Sequence, residues 1–318
     1  MWRAIGAAAA AFVVMFWNVE CLFDCFDDPA KDDDEFLPVS VRHWTWSRFE
    51  KKRDGIVQTI LAAGDLTGDL PALVGLAEVE NRLVVSQLVR KTLLEELDYG
   101  FVHRESPDAR GIDVALLYRK DVLRVLTVDS LRVPGVVTRD ILYVKMKEIP
   151  GQARNDGNQA RNDGGQARND GGEYHVFVVH LPSKYGGAGA TGGKRAAARR
   201  VLDHAVDSLL RLDSLSRILV MGDFNDTDNT VTGLCKPSFE APPAAPGTLK
   251  YHGRWEKIDE FFVSPALSAS AAMQILALPF LLEEDPAYRG VKPRRTYIGP
   301  RYNGGLSDHL PIILRFFY

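Results

Sequence analysis

Six places in this 318-residue chain set carboxylates, amides or imidazoles beside a short apolar run. The sharpest is Gly222-Asp223-Phe224-Asn225, which follows Arg217-Ile218-Leu219-Val220-Met221. A short continuous apolar run reads as a strand buried on both faces. The carboxyl ends of such strands are where open α/β folds gather their active-site groups. Asn18 and Glu20 follow the run at 12–17, Glu78 follows 71–77, and His180 closes 173–179. Asp308 and His309 precede the run at 312–317, and Asp259 stands near the start of 257–264. Any single set reads as a turn, because Gly, Asp and Asn favour turns for backbone reasons. Six together point to one shared pocket of oxygen donors with two histidines. That donor set suits a hard cation such as Mg2+, with Mn2+ as the alternative, rather than zinc. The matching chemistry is in-line attack of water on phosphorus. It needs a base for the water, positive charge at the non-bridging oxygens and a stabilised leaving oxygen.

The elements that must carry these groups follow from the apolar pattern. Strands are expected at 12–18, 71–77, 99–103, 111–118, 122–128, 141–146, 173–179, 217–221, 257–264 and 312–317. Helices are expected at 47–63, 83–97 and 194–212. The first has Ser47 and Glu50 at the spacing of a capping box, with Ile56, Ile60 and Leu61 on its buried face. Strands alternating with helices make an α/β fold.

The totals agree with that class. Hydrophobic residues at 46% and charged residues at 25% describe a soluble globular chain. A net charge of −3 excludes a generally basic coat for nucleic acid but leaves room for a local basic patch. Cys21, Cys25 and Cys235 form no disulfide framework and lack zinc spacing, so they read as small core or loop residues. The acidic run at 24–35 reads as a solvated loop, without the spaced ligands and glycine of an EF-hand. Residues 1–11 read as an extension or a weak signal-like segment running into the first strand, which leaves the compartment open. Gln-Ala-Arg-Asn-Asp-Gly occurs at 152–157, 159–164 and 166–171. This polar repeat has no apolar face to bury and is expected as a loop inserted at 151–172. Trp17, Trp44, Trp46 and Trp255 read as packing residues. His43, His103 and His175 lack a carboxylate-rich neighbourhood and read as structural or surface.

Phe16-Trp17-Asn18-Val19-Glu20, Ala77-Glu78-Val79-Glu80-Asn81, Gly222-Asp223-Phe224-Asn225 and Ser307-Asp308-His309-Leu310-Pro311 occur in that order. Together they resemble the endonuclease/exonuclease/phosphatase superfamily, the group of DNase I, exonuclease III-like nucleases and related phosphodiesterases. The resemblance covers 12–318 as one domain. It implies a four-layer α/β sandwich, two packed mixed β-sheets flanked by helices, and metal-dependent phosphoester hydrolysis. It implies Glu78 as the principal metal carboxylate, with Asn18 and Glu20 beside it and Asp308 assisting. Asp223 resembles the residue that orients or deprotonates the attacking water, and Asn225 the amide that supports it. His309 resembles the imidazole on the scissile phosphate, with Asp259 as its carboxylate partner. His180 resembles the second phosphate-side histidine, available as a general acid.

Lys184 lies in a stretch similar to a phosphate-side loop, where arginine is common. With Lys194, Arg195 and Arg295 it makes up the expected phosphate contacts. Cys21 stands where relatives often carry Asn. The resemblance therefore implies a Mg2+-dependent phosphodiester hydrolase, with DNA endonuclease as the leading reading. A phosphatase or phosphodiesterase on a small or lipid phosphoester is the alternative, and an inactive binding module on the same fold is the third. The stretch Trp255-Glu256-Lys257-Ile258-Asp259 is unlike the Trp-Cys-Asp-Arg block of inositol polyphosphate 5-phosphatases. A monomer without a membrane span or stable protein partner is expected, with nucleic acid as substrate. Replacing Asp223 or His309 by Ala is expected to abolish hydrolysis with little loss of fold.

Overall fold

Twelve strands assemble into two sheets around central strands whose side chains are apolar on both faces, with the more exposed Leu123–Leu131 and Ser238–Glu240 at edges. The computed structural model describes residues 10–150, 172–183 and 188–317. The first sheet draws on β1 (Ala10–Leu22), β2 (Leu73–Val79), β3 (Tyr99–His103) and β4 (Asp113–Arg119). The second begins with β5 (Leu123–Leu131), β6 (Ile141–Glu148), β7 (Glu173–His180) and β8 (Arg217–Asp223). β9 (Ser238–Glu240) returns to the first sheet. β10 (Leu249–Tyr251) and β11 (Arg254–Glu256) form a separate ribbon. β12 (Asp259–Val263) joins the second sheet and β13 (Ala271–Ile275) the first. β14 (Leu282–Glu284) pairs with β15 (Val291–Pro293), and β16 (Tyr297–Ile298) with β17 (Arg301–Tyr302). β18 (Ile312–Phe317) completes the first sheet. The orders are β3-β4-β2-β1-β18-β13-β9 and β12-β8-β7-β6-β5.

Both sheets are mixed. β1 runs parallel to β2, and β7 parallel to β8, while β18 is antiparallel to β1 and β12 antiparallel to β8. The period-two geometry of a strand sorts the second sheet's side chains onto two faces. Val176, Val178, Leu219 and Met221 pack towards the first sheet, whereas Phe177, Val179, Ile218 and Val220 pack under a helix. That helix is α4 (Ala188–Leu212), which contributes Ala198, Leu202 and Val206. The first sheet is covered by α1 (Trp46–Thr67), with α2 (Arg82–Arg90) and the short α3 (Leu93–Glu96) beside it. A last short helix, α5 (Pro265–Ser268), follows β12. The layers run helix, sheet, sheet, helix. Gly75 sets the spacing between the sheets, because a Cβ there would sit 2.5 Å from Met221 Sδ.

All three expected helices differ in their boundaries, and α4 begins at Ala188, six residues ahead of the expected start. α1 starts at Trp46 with Thr45 as its N-cap, so Ser47 lies inside the first turn and the capping box does not form. It runs on to Thr67 and ends at Gly68, whose φ of 84° lets its N–H reach Gly64 O at 2.9 Å. The helix expected at 83–97 is two helices. Thr92 Oγ1 donates to Leu88 O at 2.6 Å and accepts from Leu94 N at 3.3 Å, so one hydroxyl closes α2 and opens α3. The acidic loop at 24–35 is largely solvated, but Asp24 and Asp33 are buried because each carboxylate bonds the loop's own amides. The repeat, apart from Gly172, and residues 1–9 lie outside the described residues. Among the described residues no helix is long and apolar enough to cross a membrane.

Candidate active site

Topology brings the chemical residues to one end of the sandwich. β1, β2, β7 and β8 finish there with Asn18, Glu78, His180 and Asp223. Antiparallel β12 begins there, and its register sets Asp259 directly opposite Asp223. β18 pairs Ile312 with Phe16, so the residues just before it lie beside Asn18. These groups, apart from the more deeply placed Asp259, line one cavity of about 900 Å³. Its backbone is unusual. Glu20, Cys21, Glu78 and Asn225 have φ of 48°, 55°, 63° and 50°, half of the positive-φ non-glycine residues described. Such conformations cost about 1–3 kcal/mol each and persist where their surroundings hold them.

The floor is a continuous hydrogen-bonded set. His309 Nδ1 bonds Asp259 Oδ2 at 2.8 Å, and its Nε2 lies 3.9 Å from Asp223 Oδ2. Asn18 Nδ2 donates to Asp223 Oδ2 at 3.0 Å and to Glu78 Oε1 at 3.4 Å. Asn225 donates its backbone N–H to Asp223 Oδ1 at 2.8 Å and its side-chain amide to Leu181 O at 2.9 Å. Ser307 Oγ joins the two chain ends, donating to Asn18 O at 2.6 Å and accepting from His309 N at 2.9 Å. Glu78 Oε2 accepts from Cys21 N at 3.0 Å and from Cys21 Sγ at 3.2 Å, which places this cysteine at the site rather than in the core. His180 Nε2 stands 3.6 Å from Asp223 and 3.7 Å from Glu78, and its buried Nδ1 has no hydrogen-bond partner.

Burial and charge divide the titrations. Burial opposes ionisation of Glu78, but Arg110, the Cys21 hydrogen bond, His309 and Arg139 outweigh it and hold the carboxyl below its usual range. Burial and the neighbouring Asp259 push Asp223 up to about 7. Burial would discharge His309, yet the contact with Asp259 keeps its pKa well above that of free imidazole. His180 is driven the other way by burial, Arg139, Arg110 and His309, so it is neutral. Two like carboxylates with different tasks and two histidines of opposite charge state are the pattern of an acid–base site.

The rim holds the other candidates. Glu20 accepts from Arg295 Nε at 3.0 Å and from Thr296 N at 2.7 Å, and Arg295 Nη2 reaches Asp308 at 2.9 Å. Burial and Asp308 raise Glu20 to about 6. Glu78, Glu20 and Asp308 give an all-oxygen carboxylate set on the cavity wall, which fits a hard divalent cation. Arg295, expected to contact phosphate, is paired here with two of these carboxylates. Arg195, also expected to contact phosphate, is buried and donates to Pro182 O and Thr191 Oγ1. Lys194 is exposed and lines the cavity, and Lys184 lies outside the described residues. Arg139, Asp108 and Arg110 join the site without any signal in the sequence. Arg139 is buried, donates to Asp108 Oδ2 and Leu181 O at 3.0 Å each, and lines the cavity with Arg110. The loops that hold them carry no strand or helix signal. The short contact of His309 with Asp259, both buried, also overturns the expectation of little lost stability: His309→Ala would strand a buried carboxylate.

A family model described as Endonuclease/Exonuclease/phosphatase family matches residues 13–157 and 164–317. The chain belongs to the endonuclease/exonuclease/phosphatase family. Members of this family are hydrolytic, divalent-metal-dependent phosphoesterases. The fold is similar to that of truncated Caenorhabditis elegans TDP2, with a TM-score of 0.58, 15% identity and coverage of 96% of this chain and 97% of that one. The human nocturnin catalytic domain with bound sulfate gives 0.54 and 16%, covering 96% and 93%. D. rerio TDP2 complexed with a single-strand DNA product gives 0.53 and 16%, covering 96% and 98%. At these identities the likeness carries the endonuclease/exonuclease/phosphatase fold alone. No curated protein matches the chain.

Proposed function

We propose that this protein is a Mg2+-dependent phosphodiesterase that cuts DNA as an endonuclease, working as a single domain over 12–318. The observation that carries the reading is the contact set joining Asp259, His309, Asp223, Asn18 and Glu78 across both sheets. Glu78 with Asn18, Glu20 and Asp308 would hold the cation. Bound there, it would offset negative charge on the phosphate and the leaving oxygen.

The remaining work falls to the chain. Asp223, with a pKa near 7, takes a proton from the attacking water as the new O–P bond forms. Asn225 and Asn18 fix its two carboxylate oxygens for that task. His309, charged through Asp259, faces the non-bridging oxygens as the opposite P–O bond breaks. The departing alkoxide takes its proton from solvent. His180 is neutral, so it serves as a hydrogen-bond donor to the phosphate rather than as the general acid.

DNA is supported by Arg110, Arg139 and Lys194 on the cavity wall and by the single-strand DNA product in D. rerio TDP2. A small phosphoester is the second reading, favoured by Asp32 and Glu35 on the same cavity's wall, which repel a long polyanion. The test is Mg2+-dependent hydrolysis of supercoiled plasmid, single-stranded DNA, RNA and a small phosphodiester by wild type and Asp223→Asn. Plasmid nicking lost in the variant supports the proposal. Hydrolysis of the small ester alone replaces DNA as the substrate. Deleting 152–171 is expected to leave rate and melting temperature nearly unchanged, and a collapse of either would show that the repeat belongs to the working domain.

A further inference from the structure

A second group of metal-ligating side chains lies outside the catalytic floor. His103 closes β3, Asp113 opens the adjacent β4, and Glu105 follows in the connecting loop. One donor atom from each lies within 4.8 Å of the others. The His103 and Asp113 side chains are 1% and 2% exposed, and His103 Nε2 and Asp113 Oδ2 are both buried without a hydrogen-bond partner. Two buried polar atoms facing each other unsatisfied carry a cost that a ligand would remove.

Their separation suggests which ligand. At 3.6 Å the pair is too far apart for a hydrogen bond. Ligands about 2.0–2.2 Å from a tetrahedral zinc stand roughly 3.4 Å from one another. Glu105, with a side chain 59% exposed, has an oxygen 3.8 Å from the other ring nitrogen, His103 Nδ1, and would have to turn towards Nε2 to give a third ligand. One imidazole and two carboxylates form a borderline donor set, which differs from the all-oxygen catalytic set.

We infer that His103, Asp113 and Glu105 form a zinc-binding site that pins the β3–β4 edge of the first sheet, separate from the catalytic cation. Imidazole ligation selects Zn2+ over Mg2+, so the two sites would fill independently. The pinning also steadies Glu78 indirectly. Asp113 pairs in register with Val79, the residue after Glu78.

The test titrates metal-stripped full-length protein with ZnCl2 in excess Mg2+, on a Glu78→Gln background that weakens the catalytic site. One Zn2+ per chain is expected, with a rise in melting temperature. Adding His103→Gln should weaken that affinity by about tenfold or more, since even residues that only support ligands cost 10–100-fold. Glu105→Gln, at an exposed position, should weaken it without affecting folding. Co2+ in place of Zn2+ should give a visible absorption band that disappears with His103→Gln. The inference fails if the Glu78→Gln protein takes up no Zn2+. It also fails if uptake is unchanged by both His103→Gln and Glu105→Gln. Because activity is not the readout, failure here leaves the phosphodiesterase proposal standing, and failure of that proposal leaves this one.

Discussion

The floor and the rim of the cavity are built on different physics. On the floor, Asn18, Asp223, Asp259 and His309 are buried and joined by hydrogen bonds that cross between two sheets. At the rim, Glu20, Arg295 and Asp308 are held by ion pairs, and the Arg295 side chain is 48% exposed. Buried pairs cannot be broken without leaving a charge in a poor solvent, whereas exposed pairs exchange partners cheaply. The floor is therefore preorganised. The rim can be rearranged by whatever cation or substrate arrives.

The sharpest test of the floor is Asp223→Asn. Loss of the base should lower turnover by about 10²–10⁴ while stability improves in neutral buffer. The sign follows from linkage. Asp223 has a native pKa of about 7 against 3.8 in the unfolded chain, so the native state holds more protons between those values. Stability is therefore lost as pH rises from about 4 to 7. Melting temperature against pH should fall less steeply in the variant than in wild type over that window. An identical slope would show that Asp223 titrates normally. In the wild type, the same ionisation predicts a rate that climbs with pH through about 7.

His309→Ala should cost about 3–5 kcal/mol, because it leaves the buried Asp259 carboxylate without its imidazole partner. Urea unfolding measures it, and adding Asp259→Asn should restore part of the loss. If the single variant unfolds like wild type, the floor is no more preorganised than the rim. Arg295→Ala should change stability by less than about 1 kcal/mol. It removes a cation that competes for Glu20 and Asp308, so half-maximal activity should need less Mg2+. A need for more Mg2+ would assign Arg295 to the substrate instead.

Much of the floor could be read from the chain because burial on both sheet faces writes strands as continuous apolar runs. The polar residue that ends each run then announces itself, as Asp223 does after Met221. What could not be read depends on which strand lies beside which. His103 looks isolated in the sequence, and only the β3–β4 pairing brings Asp113 to it. Arg139 lies in a loop, and its partners Asp108 and Leu181 are 31 and 42 residues away. Cys21 looks like a small core residue, because its contact with Glu78 depends on the left-handed backbone at both positions. Thr92 is one hydroxyl inside an apolar helical pattern, which does not reveal that it divides the helix.

The place of β18 in the first sheet has a consequence for biosynthesis. This strand is inserted between β1 and β13, and the segment leading into it carries Ser307 and His309. A ribosome that has translated as far as Pro300 has made nearly every other part of the site. Until β18 arrives, the first sheet is split in two, with β1 and β13 each showing an open edge. Such edges recruit other strands, which makes stalled or prematurely terminated chains prone to aggregate. The cavity floor is completed in one step, when β18 enters between β1 and β13. Assembly of the site thus waits for β18 to take its place, because Ser307 and His309 enter with it.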